Sequence, residues 1–204
     1  GPLSKEEIEK INNDIFPFYV HRNMREYVRE KYNEPVCQQL DERWAAIFMW
    51  KNVALSHTIL DYPKLLKVGI RGIIDEINAE KENASAEKIE YLNSMIDCYE
   101  GVIAYAKHLA EQAQKEANEE TDPVRKAELQ LIAKSVARSP EYPPTNMDEA
   151  IHAIWVHWVA VHMESTNAGF SLGRMDQWLQ PFFESDMAKL TTKEEKDAYV
   201  KHVL

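Results

Sequence analysis

The amino-acid sequence predicts a mainly α-helical chain. Apolar residues recur at helical spacing in most segments, as at Ile89, Leu92, Met95, Ile96, Tyr99, Ile103 and Leu109. Capping residues stand before several of these runs: Ser4, Ser85, Thr121-Asp122-Pro123, Thr145 and Thr191-Thr192. The alternating pattern of strands is nearly absent, so about nine helical segments and few strands are expected.

Taken in order, Lys5 to Asn13 reads as a short amphipathic helix around Ile8 and Ile11, capped by Ser4 and ended by Phe16-Pro17-Phe18-Tyr19, which supplies apolar anchors. Asn23 to Tyr32 reads as a second short helix. Val36 to Leu55 reads as a longer one, with Trp44, Phe48 and Trp50 as core anchors. Asp61-Tyr62-Pro63 marks a turn, with Pro63 placed for the first turn of the next helix. Gly69 and Gly72 are expected to divide a short helix, with Leu65, Leu66, Val68 and Ile70, from a longer one reaching about Lys81. The long helix from Ala86 to about Asn118 contains Gly101, read as a close helix contact. Pro123 opens a helix to about Ala137, and the Pro-rich run Ser139–Pro144 must be extended. Thr145 is expected to cap the apolar helix Ala150–Met163, with Asp148 completing an approximate capping box.

The stretch Glu164–Gln177, E-S-T-N-A-G-F-S-L-G-R-M-D-Q, stands apart. Its turn-forming residues interrupt the helical pattern, yet Phe170 and Leu172 in its middle are apolar. It is expected to cross the interior as a brief strand and to form a pocket wall. A second amphipathic run, Met175 to Met187, follows it.

The 204 residues carry a formal net charge of −10, which disfavours nucleic acid and anionic membranes. No apolar run approaches the ~20 residues of a membrane span. The two cysteines, Cys37 and Cys98, lack disulfide or metal spacing and read as reduced thiols in a cytoplasmic protein. Residues 1–4 read as a remnant of tag cleavage.

His152, His157 and His162 recur at intervals of five, about 140° apart on the helical wheel, which argues against a shared metal ion. Arg174, between Glu164 and Asp176, is expected to neutralise one or both. No nucleophile elbow, phosphate loop, dinucleotide fingerprint or zinc-protease motif is present.

The segment S-L-G-R-M-D-Q-W-L-Q-P-F-F-E-S-D resembles a signature of the glycyl radical enzymes, the pyruvate formate-lyase superfamily. Residues 56–77, S-H-T-I-L-D-Y-P-K-L-L-K-V-G-I-R-G-I-I-D-E-I, fit the same family, as do residues 122–134 and 142–155 in the same order. The resemblance covers residues 5–204 and is to the dehydratase and lyase branches, isethionate sulfite-lyase included.

The resemblance implies the helical part of an α/β, ten-stranded barrel, with few strands in this piece. It implies a parent enzyme that cleaves a C–O, C–N, C–S or C–C bond of a small substrate, anaerobically, through a thiyl radical and a stored glycyl radical. A radical S-adenosylmethionine activase installs that radical in the family. The loop segments imply Ser56, His57, Asn167, Phe170 and Ser171 as substrate-contacting positions. No catalytic residue and no metal ligand is expected within this chain. Cys37-Gln38-Gln39 does not fit the family's Cys-x-Glu motif, and Cys98-Tyr99-Glu100 fits it only inside an amphipathic helix. The chain is thus expected to be an N-terminal-half piece that ends before the catalytic cysteine and binds no cofactor itself. The expected partners are the small-molecule substrate, the activating enzyme, and a second copy or the rest of the barrel. The rival reading is a non-catalytic helical interaction or scaffold domain.

Overall fold

A computed structural model describes residues 3–20, 22, 27, 30–31, 35–36, 59–164 and 169–203. The chain divides into two compact units, residues 1–57 with 165–169, and residues 58–164 with 170–204.

In the first unit, helix α1 (Lys5–Lys10) starts at a capping box in which the Ser4 hydroxyl accepts from the Glu7 amide and the Glu7 carboxylate accepts from the Ser4 amide. The helix does not end at Pro17. It widens into a π turn, Ile11–Ile15, and continues as α2 (Phe16–Tyr19). Proline lacks an amide hydrogen and crowds the carbonyl four residues back, and the wider turn relieves that crowding. Phe16 and Phe18, expected as anchors, are exposed. The helices expected at 23–32 and 36–55, with Trp44, Phe48 and Trp50, fall largely outside the described residues.

The second unit holds α3 (Tyr62–Glu80), α4 (Ala86–Glu119), α5 (Pro123–Arg138), α6 (Met147–Glu164), α7 (Met175–Trp178), α8 (Gln180–Met187) and α9 (Lys193–Val203). Side-chain caps fix several starts: Asp61 for α3, Ser85 for α4 and Asp122 for α5. The start of α6 differs from expectation. Asn146, not Thr145, accepts from the backbone of Glu149, while Thr145 donates to the Glu149 carboxylate through both its amide and its hydroxyl. The run after Gly173 is two short helices rather than one. Pro181 cannot donate an amide hydrogen to the turn before it, and the chain bends at Leu179.

Among the described residues there is no named strand. The expected brief strand is reduced to one parallel bridge, Ile59 with Ser171.

Helix α3 breaks at Gly69 alone, where φ is 68° and ψ is 173°; Gly72 lies within the helix that follows. The break leaves the amides of Ile70 and Arg71 without intrahelical partners. They donate instead to Pro140 O and Glu141 O, both at 3.0 Å. The connector between α5 and α6 is therefore seated in the kink. A Cβ on Gly69 would stand 2.7 Å from Tyr142 C. Glu141 is buried there, with Arg71 Nε and Lys107 Nζ each donating at 2.8 Å.

The main core joins Leu65, Leu66, Ile70 and Ile74 of α3 with Ile103 of α4, Ala150, Ala153 and Ile154 of α6, and Leu179. A second cluster joins Ala106 and Ala110 of α4 with Val136 of α5 and Val156 of α6. Ala106, Ala110, Ala113 and Ala117 recur at steps of four, three and four and are all buried, so small side chains let α5 approach α4 closely. Gly101 is no helix contact: a Cβ there would meet nothing within 4 Å.

The last elements are tied to α6 by polar contacts. Asp186 accepts from the Met147 amide at 2.8 Å and from the Tyr199 hydroxyl at 3.2 Å. His202 Nε2 lies 2.8 Å from Asp148 Oδ1. Among the described residues no helix is long and apolar enough to cross a membrane.

Candidate functional site

The bend after α6 is placed by three local features. The bridge sets Ser171 beside Ile59, the residue nearest the start of α3 that is so paired. Gly173 has φ 77°, a conformation that favours glycine, and a Cβ there would stand 3.1 Å from Ile59 Cγ2. Leu172 packs against the main core. Directly before these anchors Phe170 is buried, at 8% exposure, whereas Ser171 is exposed.

Phe170 meets an aromatic stripe on α6. Its ring stands edge-to-face to the His162 ring at 4.7 Å and 82°. His162 lies 3.9 Å from the Trp158 ring, and Trp158 stacks on Trp155 at 5.4 Å and 18°. Steps of three and four residues place the three α6 rings on one face. The carbonyl of Trp158 can only accept, so His162 donates to it through Nδ1 at 2.9 Å. Trp155 is exposed at the far end.

Arg174 donates to both carboxylate oxygens of Asp176, at 2.9 and 2.7 Å, on the exposed side of the bend. Hydrogen bonding from Arg174 holds the Asp176 carboxyl below the usual range. The pairing expected of Arg174 is met by Asp176; the Glu164 side chain lies outside the described residues. The other two α6 histidines have separate surroundings. Burial lowers the pKa of both His152 and His157, and the His157 ring lies against Tyr99 at 6.5 Å. Below the bend, Tyr62 is almost fully buried and stacked on Trp178 at 5.6 Å. Its hydroxyl has no hydrogen-bond partner among the described residues, and burial pushes its pKa up to about 12.

Of the five positions singled out from the sequence, Phe170 and Ser171 are adjacent at the bend; Ser56, His57 and Asn167 lie outside the described residues. His162 and Trp158 were not among the five. Their signal was the 155–158–162 spacing of rings on the helix that leads directly into the bend. The thiol of Cys98 is exposed on α4, and Glu100 pairs with Arg71, so Cys98 and Glu100 do not form a working pair.

The pyruvate formate lyase-like family matches residues 2–204. The chain belongs to that family. It is 38% identical over 138 residues to the isethionate sulfite-lyase of Nitratidesulfovibrio vulgaris, an alignment covering 63% of this chain and 16% of that protein. It is 32% identical over 145 residues to the (2S)-3-sulfopropanediol dehydratase of Klebsiella oxytoca, covering 68% of this chain and 18% of that protein. Among solved structures, the glycerol-bound B12-independent glycerol dehydratase from Clostridium butyricum superposes with a TM-score of 0.74 at 27% identity. That superposition covers 95% of this chain and 25% of the dehydratase. The chain thus spans about a fifth of the length of the relatives it matches.

Proposed function

We propose that this chain is part of an anaerobic glycyl radical lyase or dehydratase, and that the bend at Phe170–Ser171 forms one wall of its substrate pocket. The observation that carries the reading is the buried Phe170 ring, held in an irregular segment rather than in a helix. Irregular backbone on packed helices is where binding positions concentrate. Membership of a family whose relatives are lyases and dehydratases supports the reaction class.

Phe170 would exclude water from the apolar side of a small substrate, and the exposed Ser171 hydroxyl would hydrogen-bond a polar group on it. Ser56, His57 and Asn167 are the further contact positions. A small polar substrate of two or three carbons suits such a wall better than an aromatic one.

The glycyl radical, installed by a radical S-adenosylmethionine activase, would supply hydrogen-atom abstraction from the substrate through a cysteine thiyl. The chain's described residues offer no thiol placed for that step, since Cys98 is exposed on the outside of α4. Its contribution is binding and orientation within a ten-stranded barrel, in a cytoplasmic protein that associates with a second copy.

The test is to produce the longer protein that carries this chain together with its activase, without oxygen, and to record the electron paramagnetic resonance spectrum. A glycyl doublet, with turnover of isethionate, glycerol or a related short diol, is the expected result. Absence of the doublet in a correctly loaded sample overturns the reading and favours a non-catalytic helical domain.

A further inference from the structure

We propose that His162 is a positioning residue for the pocket: it holds the Phe170 ring and so sets the shape of the apolar wall. The inference rests on the reading of Phe170 as that wall.

Phe170 stands outside any helix, and among the described residues its neighbour Ser171 makes one ladder contact, the bridge to Ile59. The rotamer of Phe170 therefore depends on what its ring meets. It meets the His162 ring edge-to-face at 4.7 Å, an arrangement that aligns one ring's positive edge with the other's negative face.

His162 in turn is fixed twice. Its Nδ1–H donates to Trp158 O one turn back along α6, and its ring lies 3.9 Å from the Trp158 ring. Trp158 is stacked on Trp155. The imidazole is thus tied to a rigid helix on one side and presents itself to a loop residue on the other. Such a side chain can transmit helix rigidity to a pocket wall. Removing the ring leaves a gap beside Phe170 into which that ring can turn, and the pocket widens where it was closed.

The experiment uses the longer, activated protein. Crystal structures of the parent and of His162→Ala are compared at Phe170, and KM and kcat are measured with isethionate and with glycerol, offered separately. In His162→Ala the Phe170 ring is expected to leave its rotamer. KM for the accepted compound is expected to rise at least about five-fold with kcat within about two-fold, a change of roughly 1 kcal/mol in binding. His162→Phe restores an aromatic edge and brings KM back to within about two-fold of the parent, with the glycyl signal unchanged throughout. Should the alanine variant fail to accumulate, His162→Val reads the same shift, because it is smaller than the imidazole and lacks the edge-to-face contact.

An unmoved Phe170 ring in the variant overturns the inference. So does a KM rise from His162→Ala that is undiminished in a Phe170→Ala background, since His162 would then act by another route. If Phe170→Ala itself leaves KM unchanged, the pocket reading fails and takes the inference with it. If neither compound is turned over, the position of the ring alone decides.

Discussion

Arg71 and Glu141 hold each other twice. The Arg71 amide donates to the Glu141 carbonyl at 3.0 Å, and its Nε donates to the Glu141 carboxylate at 2.8 Å. One contact depends on the backbone break at Gly69, the other on side chains, and together they seat the connector before α6 against α3. Helix α6 carries the stripe that meets Phe170, so this joint positions the candidate site at one remove.

Replacing Gly69 with alanine should weaken the fold. The position needs φ 68°, and an added Cβ would stand 2.7–2.8 Å from the backbone of Glu141 and Tyr142. Strained φ alone costs about 1–3 kcal/mol, and the clash adds to it. Gly101→Ala should do the opposite, adding up to about 1 kcal/mol, because that site is helical, exposed and empty around the Cβ. Urea unfolding of the two variants checks the contrast; a stabilised Gly69→Ala would contradict the joint.

Acid should weaken the same joint. Burial pushes the Glu141 carboxyl up, but hydrogen bonds from Lys107 and Arg71 outweigh it, and the net shift is downward from 4.5. Asp186 is likewise lowered: burial opposes, but Lys189 and the Met147 amide prevail. A carboxyl lowered on folding stabilises above its unfolded value, and that stability is lost as pH falls from about 4.5 through the folded value. Glu141→Gln should cost about 1–3 kcal/mol at pH 7 and flatten this acid limb. A denaturation series from pH 7 to pH 3 measures both.

A separate loss should begin at higher pH. Burial lowers the pKa of His157 from 6.5, and its Nδ1 has no hydrogen-bond partner among the described residues. Below 6.5 the unfolded chain binds a proton that the folded chain resists, so stability falls until the lowered folded value is passed. His152 adds a loss of the same sign: burial lowers its pKa, Asp148 opposing. His157→Phe keeps the ring against Tyr99 and should remove the His157 share of this loss while leaving the loss below 4.5 in place.

Tyr62→Phe should be neutral or stabilising. The hydroxyl is buried without a partner among the described residues, a state that costs about 1–3 kcal/mol in desolvation. The ring itself is part of the main core, so Tyr62→Ala should cost about 3–5 kcal/mol. Paired urea midpoints decide; a large loss in the phenylalanine variant would point to a partner for the hydroxyl outside the described residues.

What the sequence determined by itself is local. Helix existence follows from apolar period and from caps such as Ser85 and Asp122, whose partners lie within three residues along the chain. That Phe170 and Leu172 turn inward was legible because they are apolar among turn residues, but Gly169, Ser171 and Gly173 are exposed, so the described bend runs along the surface and does not cross the interior. Family membership was legible because its motifs are contiguous. Tertiary structure alone decided the rest. That Gly69 and not Gly72 breaks α3 depends on the connector at 140–142, about 70 residues away in sequence. That an alanine face seats α5, that Asp186 caps α6 and that His162 meets Phe170 are likewise settled by distant partners. Spacing along one helix says which residues share a face, but only packing says what that face meets.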